Sequence, residues 1–321
     1  MAYKGSVIVT GGTVNLGYNA AKQIAREHPD YLVIISSRSD RNNSAEAINK
    51  SLCQNNTVFH SLDLFDLDNI RNFANQWAAK NNPPIKALLL NAGLQFTELQ
   101  KAPSGLEKTF AVCHVGHVLL FHLLLPFLAQ DARVIVTTSG THDPAQKTGM
   151  PDAIYTSAEE IARPTALTEK NPGAQRYTTT KLCNILWTYG LSKRLGQRVP
   201  ERRITVNAFD PGLMPGTGLA RDYGCFFRFM WNNFLPKSIP LLRLVVSPNI
   251  HTPEESGASL ARLATAADVG GITGKYYEGD KEIPSSKDSY DESKQDDLWS
   301  WTINYLANGN EEEIARLASL E

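Results

Sequence analysis

Short apolar runs alternate with stretches of helical periodicity through the first two thirds of the chain. This alternation restricts the fold more than any other feature. The apolar runs cover residues 6–10, 31–35, 57–62, 84–90, 133–137 and 204–209. Helical patterns lie at 18–27, 66–79, 106–128 and 177–195. Strands that alternate with helices predict a parallel sheet covered by helices on both faces. The run 84–90 is almost wholly apolar, as a strand buried on both faces must be. The expected architecture is therefore α/β, a doubly wound parallel sheet in a single domain over residues 1–321. A lid is expected at about 213–250 and a C-terminal extension at about 278–321.

Ligands of such sheets bind outside the carboxyl ends of the strands. Gly11, Arg38, Asp63, Asn91, Ser139 and Pro211 each fall at such an end. After the first strand comes Gly11-Gly12-Thr13-Val14-Asn15-Leu16-Gly17, followed directly by a helix. A strand, a tight glycine turn and a helix N-terminus form the context that a dinucleotide pyrophosphate requires. After the second strand there is no acid until Asp40, and Arg38 stands where it could pair with a 2′-phosphate. That favours NADP(H) over NAD as the cofactor. Tyr177 and Lys181 are four residues apart, one turn of a helix. A tyrosine has a pKa of about 10. A neighbouring ammonium is expected to lower it and make the pair an acid/base device.

Five ordered motifs together resemble the short-chain dehydrogenase/reductase family, over roughly residues 5–275. They are Thr10-Gly11 with Gly17, Asn91-Ala92-Gly93, Ser139 at the end of the fifth strand, Tyr177-Thr-Thr-Thr-Lys181, and Pro211-Gly212. The resemblance implies a Rossmann fold and reversible hydride transfer between a nicotinamide and a carbonyl or alcohol. It casts Tyr177 as proton donor, Ser139 as the group polarising the carbonyl, and Lys181 as partner of Tyr177 and holder of the nicotinamide ribose. It assigns cofactor binding to Gly11, Thr13, Asn15, Leu16, Gly17, Arg38, Asp63, Leu64, Asn91, Ala92, Gly93, Tyr177, Lys181, Pro211 and Gly212. The run Lys181-Leu-Cys-Asn184, and Pro211 to Leu219 with Arg221, are similar to the protochlorophyllide-reductase and retinol-dehydrogenase branch. Three positions depart from the family pattern. Asn15 replaces a glycine, although asparagine tolerates a positive φ. Cys113 stands where the family carries the asparagine of its catalytic tetrad. Leu213 replaces the cysteine that protochlorophyllide reductases carry after Pro-Gly.

The segment after Pro211-Gly212 carries Tyr223, Phe226, Phe227, Phe229, Met230, Trp231 and Phe234. Such a density of aromatics reads as a lid over an apolar pocket, and so as a bulky lipophilic substrate. Two other readings of the same stretch are core helix and, with Arg221, Arg228, Lys237 and Arg243, peripheral contact with a membrane. The net charge of −1 offers no footprint for nucleic acid. Four cysteines (Cys53, Cys113, Cys183, Cys225) have neither paired nor metal-like spacing, so a cytoplasmic, reducing location and no metal are expected. His114, His117 and His122 read as core residues, His142 as a loop residue. Beside the carbonyl reductase two alternatives stand: a protochlorophyllide-type C=C reductase, and a cofactor-binding sensor or interaction protein with little turnover.

Overall fold

The computed structural model describes residues 3–218 and 224–320, the Phe227 side chain excepted. Arg221 and Tyr223, both expected in the lid, lie outside the described residues. Eight strands form one sheet: β1 (Gly5–Thr10), β2 (Tyr31–Ser37), β3 (Thr57–Ser61), β4 (Ile85–Leu90), β5 (Leu128–Thr137), β6 (Thr205–Asp210), β7 (Tyr276–Glu278) and β8 (Lys281–Glu282). Their order is β3-β2-β1-β4-β5-β6-β7-β8. All neighbours pair parallel except β7 with β8. The chain winds outward from β1 in both directions, so the strand order reverses between β1 and β4. A crevice at that reversal is where doubly wound sheets bind ligands.

The helices are α1 (Asn15–Glu27), α2 (Ser44–Leu52), α3 (Leu67–Ala79), α4 (Lys108–Phe110), α5 (Gly116–Leu124), α6 (Ala158–Ala162), α7 (Gly173–Arg198), α8 (Cys225–Asn233), α9 (Ile239–Val245), α10 (Pro253–Thr265), α11 (Glu292–Leu306) and α12 (Glu311–Ser319). On one face α1 and α10 pack over Val7, Val9, Ile35, Leu89 and Phe209. On the other, the 108–127 helix, α7 and α11 cover Ile8, Ile34, Leu88, Val134 and Val206. Inward residues alternate along each strand to serve the two cores, because successive side chains point to opposite faces. The core of the β1–β6 sheet follows from the sequence periodicity. The edge at β7 and β8 was not expected, the two being three and two residues long.

The expected helix over 106–128 is one continuous run, 108–127, but its backbone is not uniform. Between α4 and α5, Ala111–Val115 forms a π turn, and the Gly116 N–H reaches back to the carbonyl of Ala111. Such turns cluster at functional sites. This run is apolar enough to cross a membrane, but it is mostly buried inside the fold. Gly116 has a packing reason: a Cβ there would lie 2.6 Å from the Leu64 carbonyl oxygen.

Candidate active site

The first turn of the site is built by glycine stereochemistry. Gly11 has φ +68° and Asn15 φ 50°, both left-handed. Asparagine is among the few side-chain residues that enter this region at modest cost, so Asn15 keeps the turn. A Cβ on Gly17 would lie 2.4 Å from the Gly11 carbonyl oxygen, which ties helix α1 against the loop. Val14 caps α1 without any side-chain hydrogen bond. The first N–H groups of the helix are thus left to face the cleft, and with the dipole they suit an anion.

Thr10 joins this loop to the end of β4. Its hydroxyl oxygen accepts from the N–H groups of Asn91 and Ala92, at 2.8 and 3.0 Å. The Asn91 amide donates to the Thr10 carbonyl at 2.8 Å. Behind them His117 Nε2 lies 2.9 Å from the Thr10 hydroxyl. The expected core role of His117 is therefore also a strut beneath the Asn91-Ala92-Gly93 segment.

At the far side of the cleft, Ser139 follows β5 and Tyr177 and Lys181 project from α7. Thr138 Oγ1 donates to the Lys181 carbonyl at 2.8 Å, strapping the strand end to the helix. The Ser139 side chain stands beside the Tyr177 phenol and favours its ionised form. Lys181 Nζ donates to the Thr137 carbonyl at 3.1 Å and lies 5.4 Å from the centre of the Tyr177 ring. Asn184 donates to the same carbonyl at 3.3 Å, in keeping with its expected packing role. Tyr177 is 7 % exposed and Lys181 3 %. Burial pushes the Tyr177 phenol well up from its ordinary value and the Lys181 ammonium down. The expectation that Lys181 lowers the tyrosine pKa is therefore corrected. In this environment desolvation of the phenolate dominates, and Tyr177 is held as a protonated donor.

Cys113 sits on the π turn, with its sulfur 3.4 Å from the Leu94 N–H and 3.7 Å from the Leu94 carbonyl. The thiol thus bridges the π turn to the segment after Gly93. Its hydrogen bonds are weak ones.

One cleft of about 990 Å³ connects all of these groups. Gly11, Thr13, Asn15, Leu16, Gly17, Arg38, Asp63, Leu64, Asn91, Ala92, Gly93, Ser139, Tyr177, Lys181, Pro211 and Gly212 all line it. At one end Arg38 is exposed, with its guanidinium 5.7 Å from the centre of the Phe65 ring. It forms no ion pair with a described residue. At the other end Leu213, Met214, Trp231 and Val246 form an apolar wall. Phe65, Asp210 and Asn249 also line the cleft and were not expected to. No residue-level signal marked Phe65 or Asn249, while Asp210 stood next to a recognised motif. Among the described residues no group of three His, Cys, Asp or Glu side chains could hold a metal.

His142 differs from the expected loop residue. It is fully buried behind Ser139. Its Nε2 accepts from the Ser286 N–H at 2.9 Å, so its Nδ1–H donates to the Ser139 carbonyl at 2.7 Å. The Ser139 loop is thereby tied to the C-terminal extension. His114 on the π turn touches that extension too, with Nε2 3.1 Å from the Thr302 hydroxyl.

The sequence profile described as short chain dehydrogenase matches residues 5–158. Short-chain dehydrogenase TIC 32 A, chloroplastic, of Brassica napus is 30 % identical over 310 residues, 94 % of this chain and 88 % of that protein. The chain belongs to the short-chain dehydrogenase/reductase family. Human polyprenol dehydrogenase is 28 % identical, covering 91 % of this chain and 82 % of its own. Mouse retinol dehydrogenase 14 is 27 % identical, covering 92 % and 83 %. A solved structure of an uncharacterised protein from Mycobacterium paratuberculosis superposes with a TM-score of 0.67 at 21 % identity, over 95 % of this chain and 94 % of that one, and shares the fold. A member of this family is an oxidoreductase that binds a nicotinamide cofactor, and the cleft described above fits one. It offers a glycine turn closed to side chains, a free helix N-terminus, and at its floor a half-buried hydroxyl beside a buried phenol and ammonium.

Proposed function

We propose that the protein is an NADP(H)-dependent oxidoreductase that reduces a carbonyl, or oxidises the corresponding alcohol, on a bulky lipophilic substrate. The observation that carries this reading is the grouping of Ser139, Tyr177 and Lys181 on the floor of one dinucleotide-sized cleft, with the Lys181 ammonium close to the Tyr177 ring. When bound, the reduced cofactor supplies the hydride. The Tyr177 phenol gives its proton to the oxygen of the substrate. The Ser139 hydroxyl donates to that same oxygen as negative charge grows on it, an electrostatic contribution of roughly 3 kcal/mol. Lys181, positively charged under the ring of Tyr177, stabilises the phenolate left after transfer. Thr137 and Thr138 hold the lysine and its helix so that this geometry persists between turnovers.

Two features support the finer points. For the phosphorylated cofactor, an exposed Arg38, in no ion pair with a described residue, stands at the β2 end between Ser36, Ser37 and Ser39. For a lipophilic substrate, the wall of Leu213, Met214, Trp231 and Val246 closes the catalytic end, and two relatives are named for retinol and a polyprenol. The test is direct. Binding of NADPH and NADH is measured first. Reduction of retinal, long-chain isoprenoid aldehydes and small polar aldehydes is then followed for the native chain and for Tyr177→Phe. The expected result is turnover of the long apolar aldehydes only, lowered 10²–10⁴-fold by the substitution. Cofactor binding with no turnover of any carbonyl, and no effect of Tyr177→Phe, would favour the sensor reading instead.

One observation supports peripheral membrane contact as a second feature of the same protein, in a reducing compartment. Phe226, Phe229 and Phe234, with Leu241, Leu244 and Val245, are all more than half exposed on α8, α9 and the turn between them. Exposed apolar side chains gathered on neighbouring elements are a common mark of a membrane or partner contact. The Trp231 side chain is instead buried, its Nε1–H donating to the Thr217 carbonyl at 2.9 Å, so the lid is part core and part surface. Sedimentation with anionic vesicles, native against Phe229→Asp/Leu244→Asp, reads this contact. Equal sedimentation of the two removes the assignment.

A further inference from the structure

Asp210 ends β6 at the floor of the cleft and is 2 % exposed. Three donors converge on its two oxygens. The Gly212 N–H donates to Oδ1 at 3.0 Å; the Asn249 amide and the Tyr276 hydroxyl donate to Oδ2 at 2.9 and 3.3 Å. Oδ2 also lies so near Gly140 that a Cβ there would be 2.9 Å away. Gly140 directly follows Ser139. An acceptor that takes three hydrogen bonds and gives none is the pattern of a carboxylate anion. This charge reaches the catalytic groups, for it favours the protonated forms of both Tyr177 and Lys181. Neither the glycine-turn motif nor the Tyr-Lys pair gives it a role.

We propose that Asp210 sets the redox preference of the site: its buried negative charge stabilises the oxidised nicotinamide, which is cationic, over the neutral reduced form. The inference rests on the cofactor reading given above. Its consequence is directional. A site that prefers the oxidised form makes the bound reduced form a stronger hydride donor and biases the protein toward carbonyl reduction. Lys181 supplies an opposing positive charge. It is present in every variant considered, so removing the Asp210 charge alone isolates the carboxylate's effect.

The test needs no substrate. Dissociation constants of NADP+, NADPH, NAD+ and NADH are measured for the native chain, Asp210→Asn and Asp210→Ser. Within each pair the adenine end is identical, so any contribution of Arg38 cancels from the oxidised/reduced ratio. Loss of local structure would also weaken both members of a pair alike. The expected result is a shift of the ratio toward the reduced form by about tenfold or more in both variants, since a unit charge within about 10 Å still acts strongly at an effective dielectric of about 20. Asp210→Ser keeps an oxygen for the Gly212 N–H and guards against a variant that does not fold. Native and variant chains that bind both members with an unchanged ratio would overturn the inference. A native chain that binds neither pair would overturn the cofactor reading, and this inference with it.

Discussion

Arg38→Gln should separate the two nicotinamide cofactors. The residue is exposed at the end of β2, and no described acid neutralises it. Its nearest described partner is the face of Phe65, 5.7 Å away. A phosphate group carries a charge of about −1.5 to −2 near neutral pH. A hydrogen bond between charged groups is worth about 1.5–3 kcal/mol, and the exposed rim argues for the lower half of that range. The substitution should therefore weaken NADPH about 10–30-fold while leaving NADH within about twofold. Titration calorimetry or cofactor fluorescence at two salt concentrations gives both numbers. Higher salt should weaken NADPH on the native chain more than on the variant, because exposed charges are screened. If both cofactors weaken together, Arg38 acts on the shape of the adenine end rather than on the phosphate. If neither changes, the reading of the β2 end is wrong.

Three further outcomes can be checked. The alkaline limb of the reduction rate should belong to Lys181, whose ammonium burial pushes below its ordinary 10.5, and not to Tyr177, which burial moves the other way; activity should fall as pH rises through that lowered value, and Lys181→Arg, which stays charged, should move the limb to higher pH even if its height drops. Burial holds His114, His117 and His122 at about 3 against 6.5 when unfolded, so the unfolded chain takes up more protons below 6.5 and stability must fall as pH drops through the window from 6.5 to about 3; by pH 5 each costs about 2 kcal/mol, and urea titrations should show His122→Leu losing less stability than the native chain between pH 7.5 and pH 5. Gly17→Ala drives a methyl to 2.4 Å from the Gly11 carbonyl oxygen, so cofactor binding should be lost at a concentration that saturates the native chain, with circular dichroism showing the sheet retained.

What the residues announced and what they concealed divide along a physical line. The glycine turn, the Tyr-Lys spacing and the apolar strands are local patterns, set by allowed φ/ψ and by periods of 2 and 3.6. They placed every expected site residue on one cleft. β7 and β8 have no such pattern. Three residues paired at the far edge of a sheet gain their stability from Ala208 to Asp210 in β6, not from their own sequence. His142 has the same character: nothing in Ser139-Gly-Thr-His142 foretells that Ser286, far along the chain, will meet the imidazole. At the π turn Ala111–Val115, likewise, nothing local foretells that Cys113 will meet the Leu94 backbone. The reversed direction of the Tyr177 shift shows why such long-range contacts matter for function. A four-residue spacing brings an ammonium near a phenol, and Coulomb's law then favours the phenolate. Only the assembled fold shows that the same phenol is cut off from water and faces the buried Asp210, and those effects dominate. The Tyr177 proton is kept on the residue by burial, with Cys113 on the π turn and Asp210 at the end of β6 acting in the same direction, both remote in sequence from the Tyr-Lys motif.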